Sequence, residues 1–104
     1  MKYKLLKIKP GKIDQWKSWC AKLQGEYHEE AIRTLVEEEN IRESIILIGE
    51  YVLYGMEGNL KPGSDCELNL EHRRNVRDCL IPIDILDFAK ETGYELLLDL
   101  QVKQ

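Results

Sequence analysis

The pattern of apolar and polar positions at the start of the chain predicts a strand followed by a long helix. The strand-type run YKLLKI (residues 3–8) ends at the turn KPGK. From Lys12 to about Glu39 the apolar positions recur with the period of a helix, and Asn40 is a natural stop for it. Gly25 lies inside this helix, where glycine costs about 1 kcal/mol relative to alanine, so we expect a bend there. The apolar stripe consists of Ile13, Trp16, Cys20, Leu23, Tyr27, Ala31 and Leu35.

The next two strand-type runs, ESIILI (residues 43–48) and YVLYGM (residues 51–56), predict a hairpin. They are separated only by Gly49 and Glu50, which favours a type II′ turn that pairs Ile48 with Tyr51. Both faces of the resulting sheet are apolar, whereas an antiparallel sheet with one wet face should alternate. Helices can cover only one face, so we expect a second copy of the chain to cover the other. The first face carries Glu43, Ile45, Leu47, Val52, Tyr54 and Met56, and the second carries Ser44, Ile46, Ile48, Tyr51 and Leu53.

The remaining segments predict a second helix, a short third helix and a last strand. Ser64 stands three residues before Glu67, a capping box that would open a helix running to about Leu80. The segment 82–93 has Pro82 near its start and Gly93 at its end, as a short helix does. YELLLDLQV (residues 94–102) reads as the closing strand. The order β-α-β-β-α-(short α)-β predicts an α+β, ferredoxin-like single domain over residues 1–104, with a four-stranded antiparallel sheet and two main helices on one face.

Composition and charge narrow the function classes. The chain has 104 residues, 43% of them hydrophobic and 33% charged, with a net charge of −4. This predicts one globular domain without the basic face that nucleic-acid binding requires. The apolar runs are too short to span a bilayer, and the N-terminus lacks the apolar core of a signal peptide. We therefore expect a cytoplasmic protein that binds neither nucleic acid nor membrane.

Motifs for metals and cofactors do not occur in the sequence. The three cysteines are widely spaced and form no CxxC pair, which argues against a disulfide framework and a zinc site. His28 projects away from the apolar stripe, so a metal site would need ligands from different faces. No glycine-rich phosphate loop is present. We expect neither a metal nor a cofactor.

A set of residues spread over most of the chain matches a known pattern. It comprises KPGK (Lys9 to Lys12), Trp16, Trp19, Glu30, Ala31, Thr34, Leu35, Glu38, Glu43, Ser44, Tyr51, Tyr54, Met56 and EHRR with His72. On these residues the chain resembles an uncharacterised family, a domain of unknown function, of the dimeric α+β barrel superfamily. The resemblance implies ferredoxin-like subunits whose open sheet faces pack into a shared barrel. It implies no single activity, because the superfamily includes cofactor-free monooxygenases, sugar mutarotases, haem-handling proteins and ligand sensors.

A candidate pocket follows from the faces of the two main helices. Glu30, Thr34 and Glu38 lie at i, i+4 and i+8 on or beside the inward side of the long helix. His72 shares the inward stripe of the second helix with Leu68, Val76 and Cys79. Because both stripes face the same sheet surface, His72 is expected near Glu38, Thr34 or Glu30. Tyr54 and Glu43 would complete the pocket, and Trp16 is either part of the core or an aromatic wall.

Three functions are compatible with this pocket. The first is proton-transfer chemistry on a small polar or carbonyl-bearing molecule, with His72 as acid or base and Glu38 (or Glu30) orienting it. The second is a ligand-binding or sensor module that uses the same pocket without catalysis. The third is a structural or interaction protein, in which the polar cluster only fixes how the helices seat on the sheet.

Overall fold

A computed structural model of the chain describes residues 1–102. It is an α+β fold with four helices and a four-stranded antiparallel sheet in the order β2-β3-β1-β4. The elements are β1 (Lys2–Ile8), α1 (Ile13–Gln24), α2 (His28–Glu37), β2 (Asn40–Ile48), β3 (Tyr51–Gly58), α3 (Glu67–Cys79), β4 (Leu80–Pro82) and α4 (Ile85–Thr92).

The hairpin between β2 and β3 has the predicted register. Ile48 pairs with Tyr51 and Ile45 with Tyr54. Gly49 has a φ of +60° and Glu50 has a negative φ, as a type II′ turn requires. The register shifts once, between Asn40 and Arg42, before the pairs that define the two sheet faces. The predicted membership of both faces is therefore confirmed from Glu43 onward.

The predicted long helix is divided into two. Gly25 caps α1, donating its N–H to the carbonyl of Ala21 at 2.9 Å, and α2 starts three residues later. The bend expected at Gly25 is thus a complete break. Asn40 does not end α2: the left-handed residue Glu39 does, with a φ of +56°. Asn40 instead opens β2, where its buried side-chain oxygen accepts from the N–H of Leu60 at 2.9 Å.

The core lies between one face of the sheet and helices α1, α2 and α3. Val52 and Cys79 are fully buried there, and Trp16 and Trp19 are 1% and 2% exposed. The two tryptophans project from α1 because positions three apart share a helix face. The core cluster is Leu6, Ile8, Trp16, Trp19, Val52, Leu68, Cys79 and Leu80. This packing fixes α1 and α3 over the side of the sheet that carries Glu43 and Tyr54.

Two predictions about the second half of the chain are wrong. The second helix starts at Glu67, and Ser64 makes no capping hydrogen bond to it, since Cys66 occupies the cap position. The fourth strand is Leu80–Pro82, which pairs with β1 before the short helix, so residues 94–102 are not the fourth strand of this sheet. A three-residue strand that directly follows a helix has no period of its own to detect.

The short helix α4 covers part of the sheet face opposite the main helices. The ring of Phe88 packs edge-on against Tyr51, with centroids 4.8 Å apart. Glu91 accepts hydrogen bonds from Tyr51 and, at 2.8 Å, from Lys7. Ile46 and Ile48, on the same face, remain 46% and 47% exposed. This face is therefore only partly covered by the chain itself.

Candidate functional site

A cavity of about 830 Å³ opens between the sheet and helices α1, α2 and α3. Its walls are mostly apolar, with a limited number of polar groups, which is the composition of small-molecule sites. The apolar walls include Leu6, Leu23, Leu35, Ile45, Leu68 and Val76. The polar lining includes Lys2, Lys4, Cys20, His28, Thr34, Glu38, Glu43, Tyr54 and His72.

Four side chains from four different elements form one chain of hydrogen bonds beside this cavity. Trp19 of α1 donates its indole N–H to Nδ1 of His72 on α3 at 2.9 Å. The Nε2 atom of His72 lies 2.9 Å from the hydroxyl of Tyr54 on β3. Tyr54 in turn donates to Oε1 of Glu43 on β2. Tyr54 and Glu43 are diagonal neighbours on one sheet face, which explains their contact.

The positions of the protons in this chain follow from its first member. An indole nitrogen can only donate, so Nδ1 of His72 must accept and carries no proton. A neutral imidazole then has its proton on Nε2, where it donates to Tyr54. Burial and, to a smaller extent, the charge of the neighbouring Arg73 lower the pKa of His72 to about 4. His72 is therefore a neutral, fixed hydrogen-bonding group at physiological pH.

Glu43 is the end of the chain that faces the cavity. Burial raises its pKa to about 7, and the nearby carboxylate of Glu38 adds to the rise. Its Oε1 atom accepts from Tyr54, which leaves Oε2 for a proton. A carboxyl with a pKa near 7 is present in both protonation states at neutral pH. Glu43 can therefore donate a proton to a molecule in the cavity or accept one from it.

Glu38 lines the cavity but is not joined to His72. Burial raises the pKa of its carboxyl, and the charge of Arg73 opposes that rise. Its carboxylate lies against Gly63, where a Cβ atom would be 2.5 Å from Oε1. The carboxylate that lies nearest to His72 is that of Glu43, whose Oε1 is 4.0 Å from Nε2. The pairing of His72 with Glu38 that the helix faces suggested does not form in this structure.

The other residues expected at the site divide into two groups. Thr34 lines the cavity, although its hydroxyl donates to the carbonyl of Ala31 at 2.7 Å. His28 is exposed, as expected, and lies on the cavity lining. Glu30 is exposed and lines a separate, smaller depression of about 460 Å³. Trp16 is buried in the core and does not line the cavity.

Two features of the site were not predicted from the sequence. The position of Trp19 at the edge of the apolar stripe suggested that it packs at a subunit boundary or caps the pocket, whereas its role as the donor to His72 depends on how α1 packs against α3. That packing has no signal in the period of either helix. Cys20 lines the cavity, but burial raises the pKa of its thiol to about 11, so it remains protonated and is a poor nucleophile.

The described residues carry two further findings that bear on function. Residues 1–102 contain no group of three or more His, Cys, Asp or Glu side chains placed to hold a metal ion. No helix within that range has the length and apolar character needed to cross a bilayer.

Comparison of the chain with protein-family models, with curated proteins and with solved structures finds no match. The chemistry of the site is therefore inferred from its own geometry.

Proposed function

We propose that this chain is a small cytoplasmic homodimer that binds a small molecule in the cavity and exchanges a proton with it through Glu43. The strand order β2-β3-β1-β4, with α1, α2 and α3 on one face, supports a ferredoxin-like subunit. The exposed Ile46 and Ile48 on the opposite face support its pairing with a second copy, as in dimeric α+β barrels.

One observation carries the proposal: Glu43 ends a chain of part-buried hydrogen bonds, lines a largely apolar cavity and has a pKa of about 7. General acid–base catalysis is most efficient when the pKa of the catalytic group lies near the working pH. An isolated surface glutamate would be ionised at neutral pH and could not donate. The walls that raise the pKa of Glu43 also enclose the space that a ligand would occupy.

The roles of the four residues differ from those that the sequence suggested. Both ring nitrogens of His72 are engaged by protein groups, so His72 supports Tyr54 and is not itself the proton carrier. Tyr54 orients Glu43 by donating to Oε1. Glu43 is the group that meets the ligand. Glu38 acts through its charge, which helps to keep the pKa of Glu43 high.

The lining of the cavity indicates the class of ligand. A protonated carboxyl at Oε2 of Glu43 is matched by an acceptor such as a carbonyl oxygen. Aliphatic walls formed by Leu23, Leu35 and Val76 are matched by an apolar body. Lys4 pairs with Tyr54 in the sheet and lines the same cavity, where its ammonium can meet an anionic substituent. The ligand is thus a carbonyl compound with an apolar body.

To test the proposal, the purified protein is incubated with a mixed extract of small metabolites, and its mass is then measured by native mass spectrometry. The wild type should retain a compound that is released on denaturation. Ala31 lines the cavity, so the large side chain of Ala31→Trp should fill the space, and this variant should retain nothing. Equal retention by both proteins, or none by the wild type, would contradict a ligand site in this cavity.

Proton exchange is tested on the retained compound itself. Incubation with the protein in D2O should introduce deuterium at the carbon next to the carbonyl group. The ionised carboxylate of Glu43 would take a proton from that carbon, exchange it with the solvent and return a deuteron to the same carbon. Glu43→Gln keeps the shape of the side chain but removes the titrating group, so it should retain the compound and stop the deuterium uptake. Retention without uptake by the wild type would identify the protein as a binder or sensor instead.

A structural role for the polar cluster is the second candidate, because both nitrogens of His72 are already satisfied within the chain. On that account His72→Ala would leave the indole N–H of Trp19 without an acceptor and Tyr54 without one of its two partners. The free energy of unfolding would fall by roughly 1–3 kcal/mol. The substitution would change nothing else, since there would be no retained compound to lose.

A further inference from the structure

The last described residues of the chain, 94–102, have the pattern of a strand but no partner in the single chain. We call this segment the tail. Apolar side chains occupy every second position of it, from Tyr94 through Leu98 to Val102, which is the period of a strand with one buried face. In the structure these side chains are between 57% and 89% exposed. A strand-type segment with an uncovered apolar side indicates a missing partner.

The dimensions of the molecule place the tail outside the compact body. The radius of gyration is 16.7 Å, whereas a compact chain of this length has one of about 13 Å. The longest dimension is 54 Å against 32 and 19 Å for the other two. Helix α4 holds the start of the tail through Phe88 and Glu91, and after Gly93 the tail does not return to the sheet.

The sheet offers one edge of matching length. Strand β2 (Asn40–Ile48) is an outer strand of nine residues, and its backbone is paired only on the side of β3. The other outer strand, β4, has three residues and ends at Pro82, which has no N–H to donate. The tail also has nine residues. Backbone N–H and C=O groups need partners, and the edge of β2 and the tail can supply them to each other.

We propose that the tail of one copy of the chain pairs with β2 of a second copy as a fifth strand, and that the exchange is reciprocal. This rests on the homodimer of the proposed function and names the segment that forms it. The apolar side of the tail would continue the sheet face of Ile46 and Ile48, which α4 leaves half-exposed. The reciprocal exchange would extend the open faces of both copies equally, as two-fold symmetry requires.

The exchange also places residues of the second copy beside the cavity. Glu43 lies on β2, so the strand added to that edge becomes its immediate neighbour. When the apolar side chains of the tail lie on the same sheet face as Ile46 and Ile48, the side chains of Leu97 and Asp99 lie on the helix-covered face with Glu43. The dimer would therefore place Leu97 and Asp99 of the second copy beside the cavity residue Glu43.

The proposal is tested by disulfide trapping in the full-length chain. Ser44 is the central residue of β2 and belongs to the same sheet face as Ile46. The thiol of Ser44→Cys therefore lies on the same sheet face as the apolar side chains of the added strand. A second form of the protein, of different mass, carries Leu96→Cys, Leu98→Cys or Leu100→Cys. Both forms also carry Cys66→Ser, because Cys66 is exposed. The two are co-expressed, oxidised and separated without reductant.

We expect a covalent heterodimer, with the summed mass of the two forms, for at least one of the three tail positions. Gln101→Cys is the matched control: it lies on the opposite side of the tail and should trap far less. If no tail position traps a heterodimer, or if a chain that carries both Ser44→Cys and a tail cysteine closes a disulfide only within itself, the exchange is wrong.

Light scattering on the Cys66→Ser parent separates this failure from that of the homodimer. A dimer that traps no disulfide would overturn the exchanged tail and leave the homodimer standing, whereas a monomer would overturn both. As a second variant, Leu98→Lys should raise the dissociation constant of the dimer by about tenfold or more, the equivalent of about 1.4 kcal/mol. Gln101→Lys should leave that constant nearly unchanged, and equal effects of the two variants would also overturn the exchange.

Discussion

The indole nitrogen of Trp19 lies 2.9 Å from Nδ1 of His72 and fixes the protonation state of the whole hydrogen-bonded chain. Because an indole can only donate, His72 cannot take a second proton without breaking this bond. The neutral His72 then donates a hydrogen bond from Nε2 to Tyr54, and Tyr54 donates one to Glu43. A residue of the core thus sets the direction of the hydrogen bonds that reach the Glu43 carboxyl.

The first prediction concerns Trp19. Trp19→Phe removes the N–H donor and leaves Nδ1 of His72 free to take a proton, so the pKa of His72 should rise above 4, while burial still holds it below 6.5. An NMR titration of the His72 ring protons measures this. The substitution should also lower the free energy of unfolding by about 1–3 kcal/mol, because a buried acceptor loses its partner.

Trp16 supplies a matched control for this prediction. It is as buried as Trp19 and lies on the same helix, but its indole N–H makes no hydrogen bond in the described structure. Trp16→Phe should therefore reduce packing without moving the pKa of His72. An equal rise in that pKa in both variants would show that burial alone, and not the bond from Trp19, holds His72 neutral.

The second prediction concerns the pH dependence of stability. The pKa of Glu43 is raised in the folded state, so its contribution to stability is full below pH 4.5 and is lost as the pH rises through about 7. The pKa of His72 is lowered, so its contribution is full above pH 6.5 and is lost as the pH falls through about 4. Between pH 4.5 and 6.5 the two slopes oppose each other. The pair together should give a nearly flat dependence there.

Glu43→Gln should uncover the slope of His72. The free energy of unfolding of the variant is expected to rise between pH 4 and 6.5, and its difference from the wild type should change by about 3 kcal/mol between pH 4.5 and 7. Urea unfolding across this range measures the difference. Glu39→Gln is the control, since hydrogen bonds from Lys61 and Asn59 lower the pKa of this carboxyl. A difference between Glu43→Gln and wild type that is independent of pH would contradict the assignment.

The third prediction concerns Tyr54. Tyr54→Phe removes the donor that favours the ionised form of Glu43, so the pKa of Glu43 should rise above 7. The loss of two hydrogen bonds should lower the free energy of unfolding by about 1–3 kcal/mol. Tyr27→Phe is the control, because Tyr27 packs against Trp19 as an aromatic ring, and its hydroxyl bonds to none of the described residues. A pKa of Glu43 that is unchanged in Tyr54→Phe would show that Tyr54 does not act on it.

Local pattern was sufficient for the first half of the fold. The two-residue spacing between Ile48 and Tyr51 determined the hairpin register, because a type II′ turn admits only one pairing. The apolar stripes of the helices correctly gave their inward faces, including those of Trp16 and Leu68. The break at Gly25 was seen only as a bend, since the cost of one glycine does not by itself decide between the two.

The second half and the details of the site depended on tertiary contacts. Strand β4 exists because Leu80 pairs with Ile8, and three residues carry no pattern that predicts such a pairing. His72, Tyr54 and Glu43 were expected in one pocket, and they do meet there. The partner of His72 was expected to be Glu38 because both lie on inward helix faces. The structure instead joins His72 to Trp19, because the sequences of two packed helices do not reveal how the helices are rotated relative to each other.

The most direct test of this account is a titration of the Glu43 carboxyl carbon by ¹³C NMR in the wild-type protein. The account predicts a midpoint at about pH 7, since burial and the charge of Glu38 disfavour the ionised form. It also predicts that the Nδ1 atom of His72 stays unprotonated through the same range. A midpoint near pH 4.5 would mean that Glu43 is an ordinary carboxylate at neutral pH, and it could not then serve as the proton donor of the site.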